Sequence, residues 1–172
     1  TDFKIDGDEA LRQADLAMYR AKDAGRGRFQ FYEPEMDMAL KARLAMEGDL
    51  REALRAEALT MVYQPQFDGD GQVVGVEALV RWTHPERGPV PPAFFVSIAE
   101  ECSLIDELGE FTLRRAFSDS LRWPRLTVAV NVSAIQIRAG DFDRLAGRLL
   151  RETGADPRRI ELEITESILL ED

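Results

Sequence analysis

From residue 61 onward, short apolar segments that predict strands alternate with longer segments that predict helices, and this order restricts the possible folds. Residues 61–67 and 73–82 have the pattern of two strands, and the turn-forming residues 68–71 join them as a hairpin. Two further strands are predicted at residues 126–132 and 159–164. Helices are predicted after the hairpin at residues 92–101, 106–121 and 141–153. A hairpin followed by alternating helices and strands is typical of an α/β fold with a parallel sheet or barrel.

The segment before residue 60 has a different pattern. Residues 8–24 carry apolar side chains at helical spacing, and residues 28–32 predict a short strand. These two elements are too few to form a core of their own. Residues 35–59 are rich in good helix formers and predict a charged helix, which links two globular pieces or opens the second of them. We therefore expect a remnant at 1–34, a linker or opening helix at 35–59 and the main domain at 60–172.

Composition excludes several classes of site. The 32 acidic and 22 basic residues give a formal net charge of −10, which argues against binding to a nucleic-acid polymer. Cys102 is the only cysteine, so an internal disulfide or a zinc-thiolate cluster is excluded and a reducing cytoplasm fits. His84 is the only histidine, and we predict a loop residue there rather than a general base. No apolar run predicts a membrane span in this segment, which leaves open an upstream sensor or membrane segment.

Three of the predicted strands direct polar side chains to one face. Because successive side chains in a strand point to opposite faces, Glu77 and Arg81 share one face. The apolar residues adjacent to them in the sequence point to the opposite face. The same rule places Asn131 and Glu163 on the interior face of the next two strands. Two carboxylates and an amide oxygen form a ligand set suited to Mg²⁺ or Mn²⁺. The alternative is that each acid forms an internal salt bridge with an arginine, but three such residues at one depth favour the metal.

The segment Glu77-Ala78-Leu79-Val80-Arg81-Trp82 resembles the signature of the EAL family of phosphodiesterases. Residues 131–133 with Gln136, and residues 161–167, resemble its next two motifs. The resemblance extends from about residue 40 to residue 172. It implies a partial TIM-like (β/α) barrel with an antiparallel first strand, truncated after about the fourth strand and preceded by a helix-strand remnant and a linker helix.

The resemblance also implies an activity and a role for individual residues. The family hydrolyses cyclic di-GMP to linear pGpG with Mg²⁺ or Mn²⁺. Its catalytic and metal-binding positions correspond here to Glu77, Asn131 and Glu163, of which the two glutamates are the catalytic pair. Its substrate-binding positions correspond to Gln64, Leu79 and Arg81, with Arg81 on a phosphate. Glu166 corresponds to a residue that stabilises a loop beside the metal site and a homodimer interface.

The N-terminal segment has a second resemblance. Residues 14–27 are similar to the last helix of a GGDEF diguanylate cyclase domain. In that family the positions of Lys22 and Arg26 contact a nucleotide triphosphate, whereas the asparagine that usually follows is Gly27 here. The GGDEF signature itself is absent, so no cyclase activity is assigned and the two basic residues are interpreted as vestigial.

The sequence holds only part of the family's site. The second half of the family domain supplies an aspartate pair, a lysine, a glutamate and a glutamine, and none of these motifs is present in the sequence. We therefore predict that the chain by itself does not turn over substrate. Two alternatives stay open for it, a cyclic-di-GMP receptor without turnover and a module that acts through dimerisation.

Overall fold

The structure, a computed structural model, describes residues 6–23, 27 and 29–164. The chain divides into two compact units, Thr1–Met46 and Glu47–Asp172. The first helix, α1, spans Gly7–Asp23, and the second, α2, spans Pro34–Arg55 and crosses the boundary between the units. Both helices lie where amphipathic or helix-favouring sequence predicts them.

Within the first unit, a cluster of charged groups joins α1 to the beginning of α2. Arg12 forms ion pairs with Glu9 and Asp37, and the hydroxyl of Tyr32 donates to Asp37 at 2.6 Å. The guanidinium of Arg12 lowers the pKa of the Asp37 carboxyl to about 2. The strand predicted at residues 28–32 is wrong for the described residues 29–32, which are irregular. A strand needs a neighbour for its backbone hydrogen bonds, and no strand is found among the described residues of this unit.

The second unit is built on a sheet of mixed orientation. Its strands are β1 at Thr60–Phe67, β2 at Val73–His84, β3 at Gly88–Val90, β4 at Thr127–Val132 and β5 at Ile160–Ile164. The main order is β1-β2-β4-β5, and β3 pairs with the end of β2. The hairpin partner β1 is antiparallel to β2, whereas β4 and β5 follow in parallel. This topology confirms the predicted α/β class and the antiparallel first strand.

Helices cover one face of this sheet. They are α3 at Pro92–Glu101, α4 at Ile105–Ser120, α5 at Ala134–Arg138 and α6 at Phe142–Thr153, with a 3₁₀ turn at Pro157–Arg159. The three longer helices agree with the predicted ones to within about one residue at each end. The five-residue α5 and the three-residue β3 were not predicted, because elements this short have no periodicity to detect.

The core lies between the sheet and the helices α4 and α6. Valine and alanine side chains of β2 and β4 pack there against Leu113, Phe117 and Leu149. Because side chains alternate along a strand, the residues between these apolar ones point to the other face of the sheet. That second face carries the polar residues of the predicted site.

His84, expected in a loop, instead ends β2 and is buried, with 6% of its surface exposed. Its Nε2 lies 3.0 Å from Oδ2 of Asp49 in α2, and its Nδ1 accepts the backbone N–H groups of Glu86 and Arg87. Both ring nitrogens therefore have structural partners. The ring fixes the turn after β2 and ties it to α2.

Substituting Tyr63 with phenylalanine is expected to lower the free energy of unfolding by about 1.5–3 kcal/mol. The Tyr63 hydroxyl donates to Oδ2 of Asp119 at 2.6 Å, and its ring packs edge-on against Trp123. Phenylalanine keeps the ring contact but leaves Oδ2 of the largely buried Asp119 carboxylate without its donor, while Nη2 of Arg122 still lies 3.4 Å from Oδ1. Urea denaturation followed by circular dichroism measures the change, and an unchanged midpoint would contradict it.

The same contact makes stability depend on alkaline pH. Burial, and then the hydrogen bond to Asp119, raise the pKa of Tyr63 above its ordinary value of about 10. The folded protein therefore holds this proton more tightly than the unfolded chain does. The contribution of Tyr63 is complete below pH ~10 and is lost as the pH rises further. We expect the Tyr63→Phe variant to lose less stability than the parent above that pH.

Candidate metal and substrate site

The polar face of the sheet collects side chains from four strands. Gln64 of β1 pairs with Glu77 of β2, so their side chains share this face. Ala129 of β4 is the next partner of Glu77, and Asn131 lies two residues beyond it. Glu163 of β5 is the register partner of Asn131. The structure therefore places Glu77, Asn131 and Glu163 on one face of three adjacent strands.

Glu77 and Asn131 are in direct contact across the sheet. Nδ2 of Asn131 donates to Oε1 of Glu77 at 2.6 Å, although 54 residues separate them in sequence. Glu77 and Glu163 are half-buried, and Asn131 is exposed. Rotation of the Asn131 amide about its last bond would present Oδ1 to the same space. The contact thus places the Glu77 carboxylate beside the Asn131 amide, whose oxygen would face a shared cation after that rotation.

The donor set fits a hard divalent cation. Carboxylate and amide oxygens are ligands of Mg²⁺ and Mn²⁺, and the three side chains themselves include no sulfur or imidazole group. Among the residues that the structure describes, no group of three or more His, Cys, Asp or Glu side chains has a metal-binding arrangement. A site on this face would therefore depend on Asn131 as well as on the two glutamates.

The residues predicted to contact substrate lie on the same face. Leu79 and Arg81 follow Glu77 at intervals of two along β2, and both are half-buried. Leu79 pairs with Val62 and Arg81 with Thr60 across the hairpin. Nη1 of Arg81 donates to the carbonyl of Val80 at 2.9 Å, which leaves most of the guanidinium donors for other partners.

A cavity of about 250 Å³ lies beside these strands. Its walls include Arg81 and Asn131 together with Glu100 of α3, Ser133 before α5 and Gln136 within α5. The Ser133 hydroxyl donates to Oε1 of Glu100 at 2.7 Å. Ser133 and Gln136 belong to the motif at residues 131–136, but no role was predicted for them from the sequence. Their spacing also indicates a helix cap, because a serine followed three residues later by glutamine is a helix-capping pattern.

Three of the predicted site residues cannot be placed by the structure. Glu166 lies outside the described residues, as does Arg26. Lys22 lies within α1, but its side chain is outside the description. Their roles stay predictions.

A mixed sheet with an antiparallel first strand, helices on one face and acidic and amide side chains on the other defines a partial α/β barrel with a candidate divalent-cation site. The sequence profile of the EAL domain matches residues 47–172, which is most of the chain. The chain therefore belongs to the EAL domain family.

Two relatives of known name are similar over nearly all of this chain. The chain is 39% identical to "Cyclic di-GMP phosphodiesterase PdeR" of Escherichia coli, covering 96% of the chain and 26% of that protein. It is 38% identical to "Bifunctional diguanylate cyclase/cyclic di-GMP phosphodiesterase MucR" of Pseudomonas aeruginosa, covering 95% and 25%. The chain thus spans about a quarter of the length of these relatives.

The fold also matches solved structures. The "PaMucR Phosphodiesterase, c-di-GMP complex" superposes with a TM-score of 0.67 at 34% identity, covering 73% of this chain and 53% of that one. The FimX EAL domain from Pseudomonas aeruginosa superposes with a TM-score of 0.60 at 22% identity, covering 68% and 48%, and supports the fold alone. These similarities confirm the TIM-like, truncated barrel.

Among the described residues, none of the helices combines the length and the apolar composition that a membrane span requires.

Proposed function

We propose that this chain is part of a metal-dependent phosphodiesterase that hydrolyses cyclic di-GMP to linear pGpG in bacterial signalling. The proposal rests on one observation: Glu77, Asn131 and Glu163 lie on the same face of three adjacent strands. Membership of the EAL family and likeness to proteins named as cyclic-di-GMP phosphodiesterases support it.

In this proposal Glu77, Asn131 and Glu163 would hold Mg²⁺ or Mn²⁺. When bound, such a cation neutralises phosphate charge and makes a water molecule a stronger nucleophile near neutral pH. The protein residues prepare the face for it. The 2.6 Å contact with Asn131 holds the Glu77 carboxylate in position, and the register of β4 and β5 brings Glu163 to the level of Asn131.

The substrate is proposed to lie over Gln64, Leu79 and Arg81. A guanidinium offers phosphate oxygens a planar fork of donors, so Arg81 would orient the phosphodiester. Gln64 offers both an amide donor and an acceptor from the antiparallel strand. Leu79, between Glu77 and Arg81 on the same face, offers an apolar contact.

The remaining assignments form one proposal about the longer protein. We infer that residues 1–34 are the end of a GGDEF domain in which Lys22 and Arg26 are vestigial, that 35–59 is the linker or opening helix and that 60–172 is the first half of the EAL domain. The name of the bifunctional relative MucR supports such a tandem arrangement. Glu166 would stabilise a loop beside the metal site and a homodimer interface, and the protein would act in the cytoplasm.

The proposal is tested by calorimetric and kinetic measurements on Arg81→Ala. In a full-length protein that contains this chain, Mg²⁺ or Mn²⁺ should support cyclic-di-GMP hydrolysis, whereas the 172-residue chain alone should not. Loss of a charge-assisted hydrogen bond of about 1.5–3 kcal/mol lowers kcat/KM by about 10- to 100-fold.

The control is Arg125→Ala, which removes an exposed arginine in the turn before β4 and should leave kcat/KM unchanged. Equal activity of both variants would contradict the role of Arg81. Tight binding of cyclic di-GMP by the full-length protein without metal-dependent hydrolysis would indicate that the protein is a receptor and not an enzyme.

A further inference from the structure

The chain that follows Asn131 is held by a capping box at the beginning of α5. The hydroxyl of Ser133 accepts the backbone N–H of Ile135 at 3.2 Å. In return, the backbone N–H of Ser133 donates to Oε1 of Gln136 at 3.2 Å. The backbone two residues beyond Asn131 is therefore fixed by a side chain from the next helix.

The same serine is also fixed from α3. Its hydroxyl proton goes to Oε1 of Glu100 at 2.7 Å, so donor and acceptor functions of the hydroxyl are both used. Between Ser133 and Asn131, the side chain of Val132 is buried on the opposite face of the sheet. Asn131 thus sits on a backbone whose following two residues are each held.

Gln136 itself occupies a costly position. It is 5% exposed, and its Nε2 is buried with no hydrogen-bond partner among the residues that the structure describes. An unsatisfied buried donor costs about 1–3 kcal/mol, and such groups are rare unless another constraint maintains them. A glutamine kept there at this cost indicates that its other amide atom, Oε1, performs a needed task.

Gly109 of α4 provides the space for this amide. A Cβ atom added to Gly109 would lie 1.8 Å from Nε2 and 2.8 Å from Cδ of Gln136. Any larger residue at position 109 would therefore force the amide to move. By contrast, a Cβ atom added to Gly147 of α6 would lie 3.5 Å from its nearest neighbour, the flexible end of the Arg151 side chain.

We propose that Gln136 is a positioning residue for Asn131, and that Gly109 is required because it leaves room for the Gln136 amide. Oε1 of Gln136 fixes the N–H of Ser133, and this fixes the backbone from which the Asn131 amide reaches Glu77. The consequence for metal binding rests on the function proposed above, whereas the positioning of Asn131 does not.

Two variants displace or remove the amide. Gly109→Ala pushes it away, and Gln136→Met removes both of its polar atoms at nearly constant volume, which avoids a cavity. The matched control is Gly147→Ala, a helical glycine at which an added Cβ makes only an ordinary van der Waals contact with the end of Arg151. Circular dichroism establishes that each variant keeps the fold.

The primary measurement is the side-chain amide signal of Asn131 in nitrogen-15 NMR of the metal-free chain. In Gly109→Ala and Gln136→Met this signal should shift, because the contact with Glu77 is loosened. Gly147→Ala should reproduce the unaltered signal. An unchanged Asn131 amide in folded Gln136→Met would overturn the proposal, even if Gly109→Ala fails to fold. Global unfolding of both variants would also overturn the proposal, because it assigns Gln136 a local role at the beginning of α5 and not a role in holding the core together.

A second measurement separates this proposal from the proposed function. Mn²⁺ added to the unaltered chain should broaden the Asn131 signal, and the two variants should need about 10- to 100-fold more Mn²⁺, as for loss of a residue that orients a ligand. If Mn²⁺ broadens no signal near Asn131 in the unaltered chain or in the variants, the proposed metal site is contradicted. The measurement on the metal-free chain still decides the role of Gln136.

Discussion

Replacing Glu77 with glutamine is expected to weaken Mn²⁺ binding by about 100-fold or more. Loss of a residue that merely orients a ligand costs about 10- to 100-fold in metal affinity, so loss of a ligand's own charge should cost at least the upper value. Glutamine keeps the size of the side chain and can still accept the Asn131 amide through its carbonyl oxygen. The effect therefore reports the missing negative charge and not a collapsed site.

The measurement is a calorimetric or paramagnetic titration of Mn²⁺, with hydrolysis of cyclic di-GMP by the full-length protein as a second readout. The matched control is Glu107→Gln, which removes one exposed carboxylate from the first turn of α4 and changes the net charge by the same amount. If both variants bind Mn²⁺ with the affinity of the unaltered protein, Glu77 is not a ligand. If both are weakened equally, the effect comes from net charge.

Replacing Phe117 with alanine is expected to lower the free energy of unfolding by about 3–5 kcal/mol. Phe117 lies in α4 with 1% of its surface exposed, and it packs in the cluster that contains Val128, Val130 and Leu149. Truncation removes buried ring surface and leaves a cavity that the surrounding sheet cannot fully close. Because domains of this kind have total stabilities of about 5–15 kcal/mol, this loss is a large fraction of the total.

Phe67→Ala is the matched control, since it makes the same chemical change at the end of β1 where the side chain is 62% exposed. Its stability should change by about 0.5 kcal/mol or less. Urea denaturation monitored by circular dichroism compares the two variants. A difference in unfolding free energy below about 1 kcal/mol between them would show that the α4–sheet contact is not the main core.

The hairpin shows why parts of this fold could be predicted from sequence. Asp68 accepts the backbone N–H groups of Asp70 and Gln72 through one carboxylate oxygen, so the turn is stabilised by residues inside it. The flanking strands are specified by alternation over several residues, which is also a local property. Local signals of this kind led to the correct α/β class and to the correct face for Glu77, Asn131 and Glu163.

Elements that depend on distant partners were predicted poorly. The strand expected at residues 28–32 has apolar alternation but no neighbouring strand among the described residues of its unit, and residues 29–32 are irregular. β3 forms because its three residues find a partner in the extended end of β2. His84 was expected in a loop, yet Asp49 and the backbone of the following turn hold it in a buried position. In each case the deciding contact lies outside the local pattern.

The sequence by itself determined which side chains point to which face, because alternation along a strand is fixed by local backbone geometry. It also indicated the family, through motifs read in order. Only the tertiary structure decided that Asn131 contacts Glu77 at 2.6 Å and that Gly109 leaves space for Gln136. Those contacts join residues on different elements, and their distances depend on strand register and helix packing, which no local pattern specifies.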